Sequence, residues 1–165
     1  NYDRAIREGF SKEEALRLVN KFSRDNARTP FQWDNSINAG FTKGTPWLQV
    51  NENYKEINAK LQIDDKDSVL SFYKKLINLR KSNEYKEVVV YGEFIPDLEV
   101  YDNVIAFYRK GANKCLMVII NYQNKEQIIN FNKTYKILIN NYKDLKFVNN
   151  ELMLKPYQGI IIEIL

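Results

Sequence analysis

The chain contains no histidine, and it contains one cysteine among its 165 residues. The absence of histidine removes the side chain that most often serves as a general base or as a metal ligand. A lone cysteine excludes an internal disulfide. Cys115 lies beside the apolar run of residues 116–120, where a thiol behaves as a small buried hydrophobe. We therefore expect no metal site, no cofactor and no disulfide framework.

Long apolar runs and blocks of like charge are also missing. No apolar stretch reaches the roughly 18 residues that mark a membrane-spanning helix, and no leader-like segment opens the chain. The 25 basic and 21 acidic residues are interleaved, which spreads the formal net charge of +4. Nucleic-acid arms and polybasic membrane segments concentrate like charges instead, so we expect neither nucleic acid nor a membrane as a partner.

Helices are predicted in the first half of the chain. Ser11 and Glu14 form a capping box, in which each side chain satisfies the backbone N–H of the other, and apolar residues at helical spacing then continue to about residue 22. Asp67 and Ser68 can cap an amphipathic helix over residues 68–81. That helix should bury Phe72, Leu76 and Ile77, against something outside this chain or against the β-sandwich predicted for the second half. Shorter helices are expected within residues 1–9 and 58–63.

The second half changes to the period of β-strands. Short segments rich in β-branched and aromatic residues alternate with turn residues, which is typical of an antiparallel sandwich. Because residues 116–120 are apolar at every position, we expect a central strand there that is buried on both faces. The change of period near residue 84 predicts a domain boundary between residues 1–84 and 85–165. The predicted strands are Val88–Glu93, Val104–Arg109, Lys114–Tyr122, Glu126–Phe131, Tyr135–Asn140, Glu151–Leu154 and Gly159–Ile164.

The densest cluster of charged residues, aromatic rings, glycines and prolines lies within the first half, after the helix that ends near residue 22. Residues 23–34 have the sequence SRDNARTPFQWD, and residues 39–47 have the sequence AGFTKGTPW. From spacing alone, two interpretations stay open: a packed surface loop with an internal salt bridge, or a functional loop. Its two aspartates, Asp25 and Asp34, each stand near an arginine in the sequence. A neighbouring cation would keep them ionised and poorly suited to donate a proton.

These two motifs closely resemble those of the α-glucosidases of glycoside hydrolase family 13, in particular the oligo-1,6-glucosidase, trehalose-6-phosphate hydrolase and sucrose isomerase branch. Phe31 stands where many members have methionine. The resemblance implies an α+β fragment: helices and loops from the end of a (β/α)8 barrel, followed by an antiparallel β-sandwich C-terminal domain. It also implies hydrolysis with retention, with the nucleophile and the acid/base upstream in the barrel, outside this chain.

The resemblance further assigns roles within the loop. An arginine of this motif is expected to contact the glucose at the non-reducing end, and we assign that role to Arg28. Arg24, Asp25 and Gln32 are expected to hold the loop in place behind it; for Gln32, a bond to backbone or to ligand stays open. Trp33 and Trp47 are interpreted as anchors of the loop. The expected partners are an oligosaccharide substrate and the upstream barrel portion, and the expected location is cytoplasmic.

Two kinds of alternative stay open at this stage. Within the enzyme class, the parent could be a trehalose-6-phosphate hydrolase or a sucrose isomerase, because the residues that select among these substrates lie upstream. Outside it, the chain could be a non-catalytic carbohydrate-binding or scaffold module. In either case the fragment alone should be inactive, because it lacks a plausible pair of catalytic carboxyls.

Overall fold

The computed structural model describes residues 1–97 and 103–165. These residues divide into two compact units, Asn1–Asp64 and Asp65–Leu165. The first unit consists of helices and loops, and the second contains one long helix and all the described strands. The domain boundary predicted between residues 84 and 85 concerns the parent protein and stays a prediction.

Three α-helices form in the first unit: α1 (Tyr2–Arg7), α2 (Lys12–Phe22) and α3 (Ala59–Ile63). The predicted capping box is present, because Ser11 Oγ accepts from the Glu14 N–H at 3.2 Å and the Ser11 N–H donates to Glu14 Oε2 at 3.1 Å. This reciprocal pair fixes the start of α2. The helix buries Ala15 and leaves Phe22 at its end 72% exposed. Short 3-10 turns at Asp25–Ala27, Ile37–Gly40 and Glu52–Lys55 join these helices.

The second unit opens with the predicted amphipathic helix, α4 (Val69–Lys81). The Ser68 side chain caps it by accepting from the Ser71 N–H at 3.1 Å. Phe72 and Leu76 are half-buried as expected, but Ile77 is 46% exposed. Ile77 lies four residues from Tyr73, which is four residues from Val69, so the three share one exposed apolar row on the helix.

Within the described residues, eight antiparallel strands follow in two sheets, which confirms the predicted sandwich. The first sheet has the order β1-β2-β3-β8-β5, and the second has the order β4-β7-β6. The strands are β1 (Glu93–Pro96), β2 (Val104–Lys110), β3 (Cys115–Asn121), β4 (Gln127–Asn130), β5 (Tyr135–Asn140), β6 (Lys146–Val148), β7 (Glu151–Leu154) and β8 (Gly159–Ile164).

The sandwich core forms between the inner faces of the two sheets. Side chains alternate between faces along each strand, so every second residue of the central strands points inward. Within β3, Met117 and Ile119 are buried in this core, whereas Val118 and Ile120 on the other face are only half-buried. The expectation that residues 116–120 are buried at every position is therefore wrong. The other buried members of the core are Val104, Ala106, Ile129, Phe131, Leu152, Leu154, Ile160 and Ile162.

The predicted strand Val88–Glu93 is also wrong, because Glu87–Tyr91 forms a π-helix. Helical hydrogen bonding continues past α4: the Val89 N–H donates to the Tyr85 carbonyl at 2.9 Å, and the Gly92 N–H donates to the Val88 carbonyl at 3.1 Å. Burial of Tyr85 and Val88 on one helical face against Leu116 of β3 outweighs the β-propensity of three consecutive valines. The turn ends at Gly92, where a Cβ atom would lie 2.3 Å from the Val88 carbonyl oxygen.

A network of charged and polar side chains fixes this helical segment to the sheet. Tyr85 donates to Glu163 Oε2 of β8 at 2.8 Å, and Lys114 Nζ donates to Glu163 Oε1 at 2.6 Å. Lys136 Nζ of β5 donates to the Tyr85 hydroxyl at 3.2 Å. The bond from Lys114, together with that from Tyr85, lowers the pKa of the buried Glu163 carboxyl, while burial and then the bond to Glu163 raise the pKa of Tyr85.

Candidate functional site

The loop of residues 23–34 begins where α2 ends at Ser23. The Asp25 N–H donates to Ser23 Oγ at 3.3 Å, and the chain then makes the 3-10 turn Asp25–Ala27. Within it the Ala27 N–H donates to the Arg24 carbonyl at 3.2 Å, and the Arg28 N–H donates to the Asp25 carbonyl at 2.9 Å. One turn of backbone thus brings together Arg24, Asp25 and Arg28, the three charged residues selected from the sequence.

The side chains of these three residues do not pair with one another. Arg24, Asp25 and Arg28 are exposed, and within residues 1–97 and 103–165 neither guanidinium takes part in an ion pair. The internal salt bridge of the packed-loop interpretation is therefore not present. Arg28 is followed by Thr29 and by Pro30, which is buried. A proline restricts the residue before it to extended backbone, so the chain immediately after Arg28 is stiff.

Gln32 bonds to the backbone of the segment that leads into α3. Its Nε2 donates to the carbonyl oxygen of Ile57, and its own carbonyl accepts from the Ala59 N–H at 2.9 Å. The next carbonyl, that of Trp33, accepts from the Lys60 N–H at 2.9 Å. Residues 32–33 are thus hydrogen-bonded to the first turn of α3, which fixes the loop on a regular element.

Asp34 organises the second part of the loop. Its Oδ1 accepts from the Ser36 N–H at 2.8 Å and from the Ser36 hydroxyl. These two hydrogen bonds lower the pKa of the Asp34 carboxyl, so Ser36, and not an arginine as expected from the sequence, favours its ionised form. Gly40 has a φ of +69°, and a Cβ atom there would lie 2.9 Å from Asp34 Oδ1. A side chain at this position would therefore displace the Asp34 carboxylate and would also be strained by the positive φ.

Two non-glycine residues in the same segment adopt left-handed backbone. Asn38 has φ 54° and Ala39 has φ 57°, a conformation that costs on the order of 1–3 kcal/mol for a residue with a side chain. Ala39 is fully buried, and its carbonyl accepts from the N–H groups of Trp33 and Asp34 at 2.9 and 3.2 Å. Asn38 Nδ2 donates to the carbonyls of Thr42 and Gly44 at 3.1 and 2.8 Å. These bonds compensate for the strained backbone and hold the segment in one shape.

An open cavity of about 750 Å³ lies against this strained segment. The large apolar residues of the region are exposed: Phe31 by 55%, Trp33 by 56%, Phe41 by 49% and Trp47 by 93%. Phe31 and Trp33 contact each other edge to face at 4.6 Å, whereas Trp47 anchors nothing in the described chain, contrary to the sequence interpretation. The cavity is lined by Asp34, Ser36, Ile37, Gly40, Phe41, Thr42 and Lys43.

Sequence reasoning did not assign these residues around Asp34 to a site. Two signals were available: an aspartate two residues before a serine, which favours a local side-chain turn, and the glycine of the Ala39-Gly40 step. The left-handed conformation of Asn38 and Ala39 could not be found from residue type alone. Chemically, the loop offers the guanidiniums of Arg24 and Arg28, which make no ion pair with any described residue, and the ionised carboxylate of Asp34 on a fixed backbone. Such groups bind polar ligands, but Asp34 is poorly prepared to act as a general acid.

Two sequence families match the chain in succession. The catalytic-domain model of the alpha-amylase family matches residues 2–92, which is more than half of the chain and includes the whole loop described above. The chain belongs to the alpha-amylase family, glycoside hydrolase family 13. A second family, described as the alpha-amylase SusG C-terminal domain, matches residues 104–161, the part that forms most of the sandwich. The expected order of a catalytic-domain end followed by a C-terminal β-domain is thereby confirmed.

Curated relatives are similar to this family member over nearly its whole length. An oligo-1,6-glucosidase of Parageobacillus thermoglucosidasius is 40% identical over 166 residues, covering 94% of this chain and 28% of that protein. An alpha-glucosidase of Schizosaccharomyces pombe is 38% identical, covering 92% of this chain and 27% of that protein. The chain therefore spans under a third of the length of these relatives.

Solved structures of longer proteins also match nearly the whole of this chain. The trehalose-6-phosphate hydrolase of Bacillus licheniformis superposes with a TM-score of 0.87 at 38% identity, covering 99% of this chain and 30% of that one. An isomaltulose synthase of Erwinia rhapontici, solved in complex with sucrose, superposes with a TM-score of 0.84 at 36% identity, covering 99% of this chain and 30% of that one. Among the described residues, no helix is both long and apolar enough to cross a membrane.

Proposed function

We propose that this chain is the C-terminal part of a retaining α-glucosidase that hydrolyses short α-linked gluco-oligosaccharides such as isomaltose. The observation that carries the proposal is the loop of residues 23–44. It bears two exposed arginines that make no ion pair within the part of the chain that the structure describes, and it lies inside the segment that matches the alpha-amylase catalytic domain. The similarity to proteins described as oligo-1,6-glucosidases supports the choice of substrate class.

Retention requires two carboxyl groups about 5 Å apart, one acting as the nucleophile and one as the acid/base. Of the two loop aspartates, Asp34 is stabilised as an anion by Ser36, and Asp25 is exposed. We assign neither to the chemical step, and we place both catalytic carboxyls in the upstream part of the parent protein. In this proposal the chain binds and orients the sugar, and the upstream part breaks the bond.

Arg28 is the residue to which we assign contact with substrate. A guanidinium presents a rigid fork of N–H donors, and two of them can bond to adjacent sugar hydroxyls. Arg24 and Asp25 would hold the turn that presents it, through the backbone bonds to Ala27 and Arg28. Gln32 would fix the following segment to α3, through its bond to the Ile57 carbonyl.

The upstream portion of a (β/α)8 barrel is the partner that we propose for the chain, with residues 1–84 as the end of that barrel and residues 85–165 as the sandwich domain. Two apolar surfaces of the second unit support a covering partner. One is the row Val69, Tyr73 and Ile77 on α4, which is 66%, 59% and 46% exposed. The other is the outer face of the five-stranded sheet, where Phe94 and Ile105 are 55% and 50% exposed. A cytoplasmic location belongs to the same proposal.

Hydrolysis of trehalose 6-phosphate is the second candidate, and the superposition on the trehalose-6-phosphate hydrolase of Bacillus licheniformis favours it. Isomerisation of sucrose is supported in the same way by the isomaltulose synthase structures. In both cases this chain would bind the sugar, and residues in the upstream part of the parent protein would select the substrate. A non-catalytic carbohydrate-binding module would keep the Arg28 loop and lose turnover.

Turnover by the intact parent protein tests the proposal. Purified parent would be incubated separately with isomaltose, trehalose 6-phosphate and sucrose, and the products would be followed by proton NMR from the first minutes. We expect isomaltose to be cleaved fastest and the released glucose to appear first as the α-anomer. Initial release of the β-anomer would refute retention. Preferential use of either other substrate would transfer the assignment to that activity, and no turnover of any of them would favour the binding module.

A further inference from the structure

The helical segment of residues 69–91 consists of α4, a short turn and the π-helix. The catalytic-domain model extends through it to residue 92, and the match to the C-terminal domain begins at residue 104. By sequence family the helical segment therefore goes with the first unit. In the structure it lies instead in the compact unit Asp65–Leu165, together with all the described strands. The contacts that place it there cross the join between the two family matches.

One line of side chains across the five-stranded sheet makes most of these contacts. Arg109 of β2 pairs with Leu116 of β3, Leu116 pairs with Glu163 of β8, and Glu163 pairs with Lys136 of β5. Residues directly opposite each other in antiparallel strands present their side chains on the same face. The four side chains therefore form a single row over four strands, on the outer face of the sheet, and we call it the cross-strand row.

The centre of the cross-strand row is apolar and closely packed. Leu116 is 1% exposed and packs against Tyr85 and Val88 of the helical segment. At one end, Arg109 Nη2 donates to the Val90 carbonyl at 3.3 Å, which satisfies a carbonyl near the end of the π-helix. Two members of the row thus contact the segment through packing and through backbone.

The other two members meet the helical segment at a single hydroxyl. Tyr85 donates to Glu163 Oε2 at 2.8 Å and accepts from Lys136 Nζ at 3.2 Å. Lys114, just before β3, donates to Glu163 Oε1 at 2.6 Å and to Glu84 Oε1 at 3.3 Å. Hydrogen bonds that involve a charged group are about twice as strong as neutral ones. Separation of the segment from the sheet would break these bonds and expose the apolar centre of the row to water.

The first unit has a much smaller core of its own. Among its described residues the buried apolar side chains are those of Ala5, Ala15, Pro30 and Ala39. The free energy of local opening is low where few apolar contacts are buried. The first unit should therefore open more readily than the sandwich, and a segment fixed to the sandwich should not open with it.

We infer that the cross-strand row is a clamp between the two matched domains: the helical segment, which matches the end of the catalytic domain, opens cooperatively with the sandwich and not with the first unit. The clamp crosses the boundary proposed between residues 84 and 85. It gives the C-terminal domain a conformational role, which is to keep the end of the catalytic-domain match folded. Neither the Arg28 loop nor the choice of substrate enters this inference.

Native-state amide hydrogen exchange of the 165-residue chain, followed by NMR, tests the inference. In the wild type we expect the slowest amides of α4 to have protection factors within about threefold of those in β3 and β8, and at least about tenfold above those in α2. Tyr85→Phe removes the hydroxyl that joins Glu163 and Lys136, and Val88→Ala removes packing on Leu116. Each variant should lower the protection factors of α4, β3 and β8 by one common factor of at least about ten, because the members of a cooperative unit share one opening free energy.

Tyr73→Phe is the matched control, because it removes the same hydroxyl from α4 at a position that is 59% exposed. Its protection factors should stay within about twofold of wild type. A loss of protection in α4 alone, with β3 and β8 unchanged in Tyr85→Phe and Val88→Ala, would overturn the inference, because the helix would then open by itself. Wild-type α4 amides that exchange as fast as those of α2, or unchanged protection in both variants, would overturn it too. No substrate is present, so the result is independent of the proposed function.

Discussion

The sandwich core should depend on Ile119 far more than on its neighbour Ile105. Ile119 is fully buried in β3 and faces the core between the two sheets, so Ile119→Ala removes three carbons from close-packed surroundings and leaves a cavity. Such truncations cost about 2–5 kcal/mol, and we take about 3 kcal/mol here. For a unit of about 100 residues each kcal/mol lowers Tm by roughly 4–8 °C, which gives a decrease of roughly 12–24 °C.

Ile105→Ala is the matched control, because the same atoms are removed from the adjacent strand β2. Ile105 faces the opposite side of the sheet and is 50% exposed, so the loss should be about 1 kcal/mol and should leave no enclosed cavity. Thermal unfolding of the 165-residue chain, followed by circular dichroism, measures both. Equal shifts in Tm for the two variants would show that the inward and outward faces of the sheet are misassigned.

Three further results are expected. Gly40→Ala should destabilise the first unit by more than about 1 kcal/mol in urea unfolding, because its Cβ would lie 2.9 Å from Asp34 Oδ1 at a positive φ. Gly44→Ala is the control and should be nearly neutral, because its Cβ would meet nothing closer than 3.8 Å. Equal losses of stability in the two variants would refute the argument. The pKa of Glu163 is lowered in the folded state, so its contribution to stability is present above the unfolded-state pKa of about 4.3 and is lost as the pH falls through the folded-state pKa. Glu163→Gln should therefore flatten the decline in the free energy of unfolding below about pH 4.3, and an unchanged slope would show that other carboxyls cause that decline. The purified 165-residue chain should not hydrolyse p-nitrophenyl-α-glucoside, and turnover above a blank would show that it holds a complete site.

Local signals in the sequence predicted the regular elements well. The capping box at Ser11 and the cap at Ser68 place the starts of α2 and α4 because each is satisfied by residues within one turn. Strands β5, β7 and β8 have the predicted bounds because turn residues flank short runs of β-branched side chains. The π-helix at Glu87–Tyr91 was missed because its stability comes from burial of Tyr85 and Val88 on β3, which no local window contains.

The candidate site could be predicted from the sequence only in part, because its geometry also depends on contacts between distant residues. The sequence marks the loop of residues 23–34 by its density of charge, and Gln32 as a residue that can bond to backbone. It does not show that Asn38 and Ala39 adopt left-handed backbone, because neither residue type requires it. Nor does it show that Trp47 is 93% exposed, because a tryptophan side chain is usually buried for the most part.

The most direct test of the central claim is Arg28→Lys in the intact parent protein. Lysine keeps the charge but loses the planar fork that can bond to two hydroxyls. We expect kcat/KM for isomaltose to fall roughly ten- to a hundred-fold, or about 1.4–2.8 kcal/mol. Since the Arg28 side chain makes no ion pair within the part of the chain that the structure describes, Tm should stay within about 2 °C of wild type. A variant that loses stability while each folded molecule keeps its kcat/KM would contradict the account, make Arg28 a structural residue and make Arg24 the candidate for sugar contact.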